Sequence, residues 1–167
     1  MVCWIDSRIA MNTVDFDAAR ELRQRLLRRY PAWSHDLNMD SSGEVPILTL
    51  RLHHCPEHEL AIEVRRSEAT VTYNDGLPPG PAERLFIWDD DLGDGLDSVC
   101  EFIAEFVRGG IVLVRERLSR LVRFLRRHDC ESVLYFARAS DIEQLSRRRR
   151  RRIYRVWPWD GAARLPI

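Results

Sequence analysis

Between Thr13 and Tyr30 the apolar residues Phe16, Ala19, Leu22, Leu26 and Tyr30 recur at steps of three and four positions. This spacing gathers them on one side of a helix and leaves arginines and acids on the other. Thr13 or Asp15 is suited to cap its start, Asp15 and Asp17 to complement the positive end of its dipole, and Arg28 and Arg29 the negative end; Pro31 stops it. Residues 31–46 then read as a loop, most turn-like at Asp40-Ser41-Ser42-Gly43.

The period next changes to two. Leu48, Leu50 and Leu52, then Leu60 to Val64, then Val71 and Tyr73 flanked by threonines, read as three short strands with breaks at Cys55-Pro56-Glu57 and Arg66-Ser67-Glu68. They predict an antiparallel meander. Asn74-Asp75-Gly76 is a hairpin signal, but Pro78, Pro79 and Pro81 lengthen the loop before a fourth run, Leu85-Phe86-Ile87-Trp88.

Helical spacing returns at Leu92, Leu96, Val99, Cys100, Ile103 and Val107, opened by aspartates and closed at Gly109-Gly110. The stretch after it fits two patterns. Ile111-Val112-Leu113-Val114 is β-branched like a strand, yet Ile111, Val114, Leu118, Leu121, Val122 and Leu125 keep helical spacing. A short strand or turn leading into a basic helix that ends near His128 is the favoured reading. Ser132 to Ala137 reads as a strand, Ser140-x-x-Glu143 as a capping box for a short helix, and Ile153 to Trp157 as a last strand.

This order predicts an α+β fold, a single-domain sandwich in which an antiparallel meander of three to four strands packs against helices. Residues 1–12 are expected to form a flexible N-terminal extension and 13–167 one domain with an Arg-rich C-terminal part. The element order is similar to that of type III secretion chaperones and of some small bacterial toxin-immunity proteins. The resemblance implies a protein that binds one protein partner; it lies in element order and carries over no site residues.

Composition fits one domain: 167 residues with 45% apolar content suffice for a single core. The longest uncharged apolar stretch, Gly109 to Val114, is far shorter than the roughly 20 residues a membrane-spanning helix needs, so no membrane association is expected. Asp6 and Arg8 interrupt the N-terminus before an apolar signal segment develops, which points to the cytoplasm. Cys3, Cys55, Cys100 and Cys130 are scattered and read as reduced thiols. All 26 basic residues are arginine, a bias that a GC-rich bacterial genome explains.

The net charge of zero conceals a segregation. Glu57 to Glu105 holds 13 acids against three arginines, whereas Arg115 to Arg155 holds 14 arginines against five acids. Such a layout can be satisfied within the fold, between two copies, or by a partner.

Three constellations bear on chemistry. Cys55-x-x-His58, with His128 and Cys130, offers four zinc-type ligands, but the spacing is not that of a zinc site and a polar turn explains them as well; no metal or cofactor is expected. Asp90, Asp94, Gly95 and Glu101 fit four positions of a calcium loop, while Leu92 and Asp97 break the template, and helix capping accounts for the same aspartates. Arg147, Arg148, Arg149, Arg150, Arg151 and Arg152, followed by Tyr154, Trp157 and Trp159, combine phosphate-binding forks with stacking rings.

There is no nucleophile elbow, phosphate loop or positioned base, so the chain reads as not an enzyme. The leading expectation is a protein-binding module of the immunity, chaperone or adaptor kind. It would present the acidic Asp89, Asp90 and Asp91 together with the Arg147–Arg152 run, Tyr154, Trp157 and Trp159. Nucleic-acid binding through the arginine run is the alternative, and a homodimer that joins acidic to basic parts is a third reading.

Overall fold

A computed structural model of the chain describes residues 7–52, 55–74, 82–88, 92–117, 132–144 and 153–157, with side chains described at 14–51, 58–74, 82–88, 92–116 and 134–144. The amphipathic stripe found in the sequence lies on α1 (Ser7–Arg29), whose Ala18, Ala19, Leu22 and Leu26 are buried. The helix starts well before Thr13, so neither Thr13 nor Asp15 caps it and part of the expected extension is helical. Asp17 instead pairs with Arg20 one turn on, at 3.1 Å. At the other end Pro31 begins a short 3-10 turn, Pro31–His35, in which Tyr30 and Trp33 stack with centroids 4.2 Å apart.

The expected loop at 31–46 contains that turn and a strand, β1 (Leu37–Asp40). It pairs antiparallel with β2 (Ile47–Leu52), which pairs with β3 (Cys55–Val64), then β4 (Glu68–Asn74), then β5 (Ala82–Ile87), giving a five-stranded sheet with each strand beside its sequence neighbour. The anticipated break at Cys55-Pro56-Glu57 lies inside β3; the register shifts one step earlier, between Arg51 and Leu52. Leu37, Leu48, Leu50, Leu60, Ile62, Val64, Ala69, Val71, Tyr73 and Ala82 are buried on one face, against α1 and α2 (Leu92–Val107). Full burial of an aliphatic side chain contributes about 1.5–3 kcal/mol, so this face and the helices that cover it are the main source of stability.

The bounds of α2 are those read from the sequence. Its end is set by Gly109, which takes φ +78°: Gly109 N–H donates to Phe106 O at 3.1 Å and Gly110 N–H to Glu105 O at 2.8 Å. These two hydrogen bonds, from the left-handed Gly109 and the residue after it, satisfy carbonyls the helix would otherwise leave open. Its start is fixed by Trp88, whose indole lies over Gly95 so closely that a Cβ there would overlap the ring. Trp88 Nε1 donates to Arg66 O at 2.8 Å, which ties the β3–β4 turn to the helix.

Residues 111–114 form a strand, and it is not short: β6 (Ile111–Arg117) sits between β7 (Ser132–Arg138) and β8 (Ile153–Trp157) in a three-stranded antiparallel sheet. The basic helix expected up to His128 falls outside the described residues. A 3-10 turn, Ala139–Asp141, leads into the expected short helix, helical at 142–144, but Ser140 lies inside the turn and its hydroxyl bonds Asp141 rather than a helix N–H. The two sheets are joined by rings: Tyr73, Phe106, Phe136, Phe102 and Phe86 meet edge-to-face in sequence at 5.1–5.8 Å.

Candidate interaction surface

The second face of the five-stranded sheet is built from the alternate residues of the same strands. The register aligns Asn38, Thr49, Ala61, Thr72 and Glu83 in one row and Asp40, Ile47, Glu63, Thr70 and Leu85 in the next. Thr49, Ala61, Thr70 and Thr72 at its centre are half-buried, and among the described residues no helix covers them. Charged pairs frame the surface: Arg51 Nε to Glu59 at 3.2 Å, and Arg65 to Glu63 at 2.6 Å and Glu68 at 3.6 Å.

At its β5 side two large apolar residues stand in solvent. Leu85 is 52% exposed and Ile87 72%. They follow from a run of four apolar residues on a strand: Phe86 and Trp88 turn to the core, so Leu85 and Ile87 must turn away from it. The sequence carries this signal in the four consecutive apolar residues Leu85-Phe86-Ile87-Trp88. Arg84 extends over the Phe86 ring at 5.9 Å on the other side of the strand.

The acids of the middle segment are in good part neutralised within the fold. Arg25 on α1 binds Glu21 at 2.9 Å and Asp97 at 2.6 Å, and also donates to Gly93 O at 3.1 Å. Arg29 holds Glu101 at 2.7 Å, with Arg108 at 3.7 Å on its other oxygen. The hydrogen bond from Arg29, then its charge, keeps the Glu101 carboxyl below the usual carboxylate range. Beside this ladder Cys100 is buried, which pushes its thiol up to about 11. Glu101, a carboxylate of the calcium-loop template, and Asp97, which breaks that template, thus serve as a clamp between helices.

Arg147, Arg148, Arg149, Arg150, Arg151, Arg152, Trp159, Asp89, Asp90 and Asp91 lie outside the described residues. Tyr154 and Trp157 fall in β8, with Trp157 in register opposite Leu113 and Arg155 opposite Arg115. Of the four zinc-type residues, His58 has its side chain described, and its Nδ1 shares a hydrogen bond of 2.7 Å with the buried Tyr73 hydroxyl. Among the described residues no three His, Cys, Asp or Glu side chains gather to hold a metal, and no helix is long and apolar enough to cross a membrane.

No protein-family model, curated protein or solved structure matches the chain.

Proposed function

We propose that the chain is a non-enzymatic protein-binding module of the immunity, chaperone or adaptor kind, which seats a partner on the open face of its five-stranded sheet beside β5. The observation that carries this reading is the exposure of Leu85 and Ile87 on one side of one strand. Neighbouring apolar residues rimmed by polar and charged ones are the composition of an interface core and its rim. Thr49, Ala61, Thr70 and Thr72 extend the surface as a low relief against which a partner can lie flat.

The charged residues singled out in the sequence enter the same proposal as steering groups. Arg147–Arg152 and Asp89–Asp91 supply opposite charge at separate places in the chain, which accelerates encounter and rejects partners of the wrong sign. The internal clamps on Asp97 and Glu101 take those acids out of this role.

The experiment is capture from host lysate with and without nuclease, using the wild-type protein and a Leu85→Arg, Ile87→Arg double variant. A stoichiometric protein that survives nuclease and is lost from the folded double variant supports the proposal. Retention of the same protein by the double variant overturns the assignment to this face. Capture that nuclease abolishes overturns the protein-binding reading in favour of nucleic acid at the arginine run.

A further inference from the structure

The opposite edge of the same sheet carries a groove. Arg20, Arg23 and Gln24, on one side of α1, and Asn38 and Met39 of β1 line an open cleft of about 280 Å³. Steps of three and four residues put the three α1 side chains together. No carboxylate lines the cleft, and four of its five side chains, Arg20, Arg23, Gln24 and Asn38, offer N–H groups beside the apolar Met39. Arg23 Nε donates to Leu37 O at 3.2 Å, which leaves its two terminal nitrogens without a hydrogen bond among the described residues. Arg20 spends one nitrogen on Asp17, where both side chains are largely exposed, and the Gln24 amide makes no hydrogen bond among the described residues.

β1 is also an edge, with β2 as its one strand partner among the described residues. Residues of an edge strand turn their N–H and C=O alternately toward the ladder and away from it. Leu37, whose carbonyl accepts from Arg23, belongs to the outward set, and the two-residue alternation places Met39 in it too. The groove therefore joins a main-chain edge to two guanidinium groups.

We infer that this groove takes an extended acidic segment of the protein partner, which adds as a strand on β1 and sets its carboxylates on Arg20 and Arg23. The inference rests on the protein-binding reading and uses a surface separate from Leu85 and Ile87. Both halves of the site contribute. A strand partner takes the outward backbone groups at Met39, and alternate acidic side chains reach the arginine forks. A free phosphate would engage the arginines and leave the strand edge unused. A nucleic-acid strand would find no aromatic ring in the lining on which to stack.

The test is fluorescence anisotropy on the full chain with labelled peptides of about ten residues, a common strand length or slightly more. One peptide alternates glutamate with valine and threonine, one replaces glutamate by lysine, and one is the acidic peptide N-methylated at alternate residues so that it cannot pair as a strand. The acidic peptide is expected to bind, the lysine and N-methylated ones not to. Arg23→Gln should weaken binding about tenfold, since it removes a charged hydrogen bond, and the exposed Arg20→Gln a few-fold. Arg23 also holds Leu37, so Arg20→Gln keeps the inference testable should Arg23→Gln loosen β1.

Equal binding of the N-methylated peptide, or displacement by inorganic phosphate at similar concentration, overturns strand addition in favour of a simple anion site. Absence of acidic-peptide binding overturns the groove inference, while lysate capture that depends on Leu85 and Ile87 would leave the broader reading standing. Salt-dependent self-association that disappears in Arg20→Gln would make a second copy of the chain the occupant and likewise overturn it.

Discussion

On β4, Ala69, Val71 and Tyr73 are buried while Thr70 and Thr72 between them stay half-exposed; on β6, every residue from Ile111 to Glu116 is buried. Both strands lie inside a sheet with a neighbour on each side. The difference is in what covers their faces. β4 has helices on one side and, among the described residues, none on the other, so its sequence alternates. β6 contributes Ile111 and Leu113 to the main core and Val112 and Val114 to a second cluster with Tyr135, Ala137 and Ile142, so its first four residues are a continuous apolar run. The lesson is functional as well as architectural: the sheet with an open face has surface to offer, and the strand covered on both faces has the task of holding the two sheets together.

The sharpest way to break this comparison is to place a carboxylate on each strand. Val114→Asp puts a charge at a fully buried site with valine-type surroundings, where an uncompensated carboxylate costs several kcal/mol, and the domain should be unfolded or nearly so at 25 °C. Thr72→Glu adds the same charge to the open face and should cost about 1 kcal/mol or less, the range of strand propensity. Chemical denaturation of the two variants measures both. Equal losses would mean that the face assigned to partner binding is covered after all.

A second variant probes the joint between the open sheet and α2. Gly95→Ala drives a methyl group into the Trp88 indole, whose Nε1–H is held by Arg66 O while the Trp88 backbone N–H is held by Ser67 O, so that it has little freedom to withdraw. Overpacking of this kind costs about 1–3 kcal/mol, visible as a lower denaturation midpoint at unchanged slope. Restored stability in a Gly95→Ala, Trp88→Leu double variant would locate the cost in that contact.

These contrasts also explain what could be read in advance. α2 and β8 were bounded correctly from spacing, because their neighbours reinforce a local pattern already present. β1 was missed: Leu37-Asn38-Met39-Asp40 is four residues long and half of it is Asn and Asp, poor strand formers whose conformation is imposed by pairing with β2. The strand-or-helix ambiguity at 111–114 arose from double burial, which erases alternation. The interaction residues divide in the same way. Exposure of Leu85 and Ile87 was implicit in an apolar run too long for one face, whereas the Arg20–Arg23–Asn38 groove depends on where α1 passes β1 and has no signature in local sequence.

The smallest expected effect concerns the acids that the fold removes from partner binding. Glu101 is 62% exposed and held by Arg29, whose hydrogen bond and charge lower its proton affinity in the native state. Its unfolded value is roughly 4.3, so between that value and the lower native one the unfolded chain binds more protons than the folded chain. The stabilisation is therefore complete above the unfolded value and lost as pH falls through the native one, with Arg29 charged throughout. Asp40, lowered by the Ser42 hydroxyl and backbone N–H, acts in the same acid window but in the β1–β2 connection. Thermal melting from pH 7 to pH 3 should accordingly show a shallower acid loss for Glu101→Gln than for wild type, with the Asp40 part retained. Wild-type and Glu101→Gln curves that run parallel through this range would mean that the α1–α2 clamp is not coupled to folding. Glu101 would then be free to take part in the acidic surface that charge segregation in the sequence first suggested.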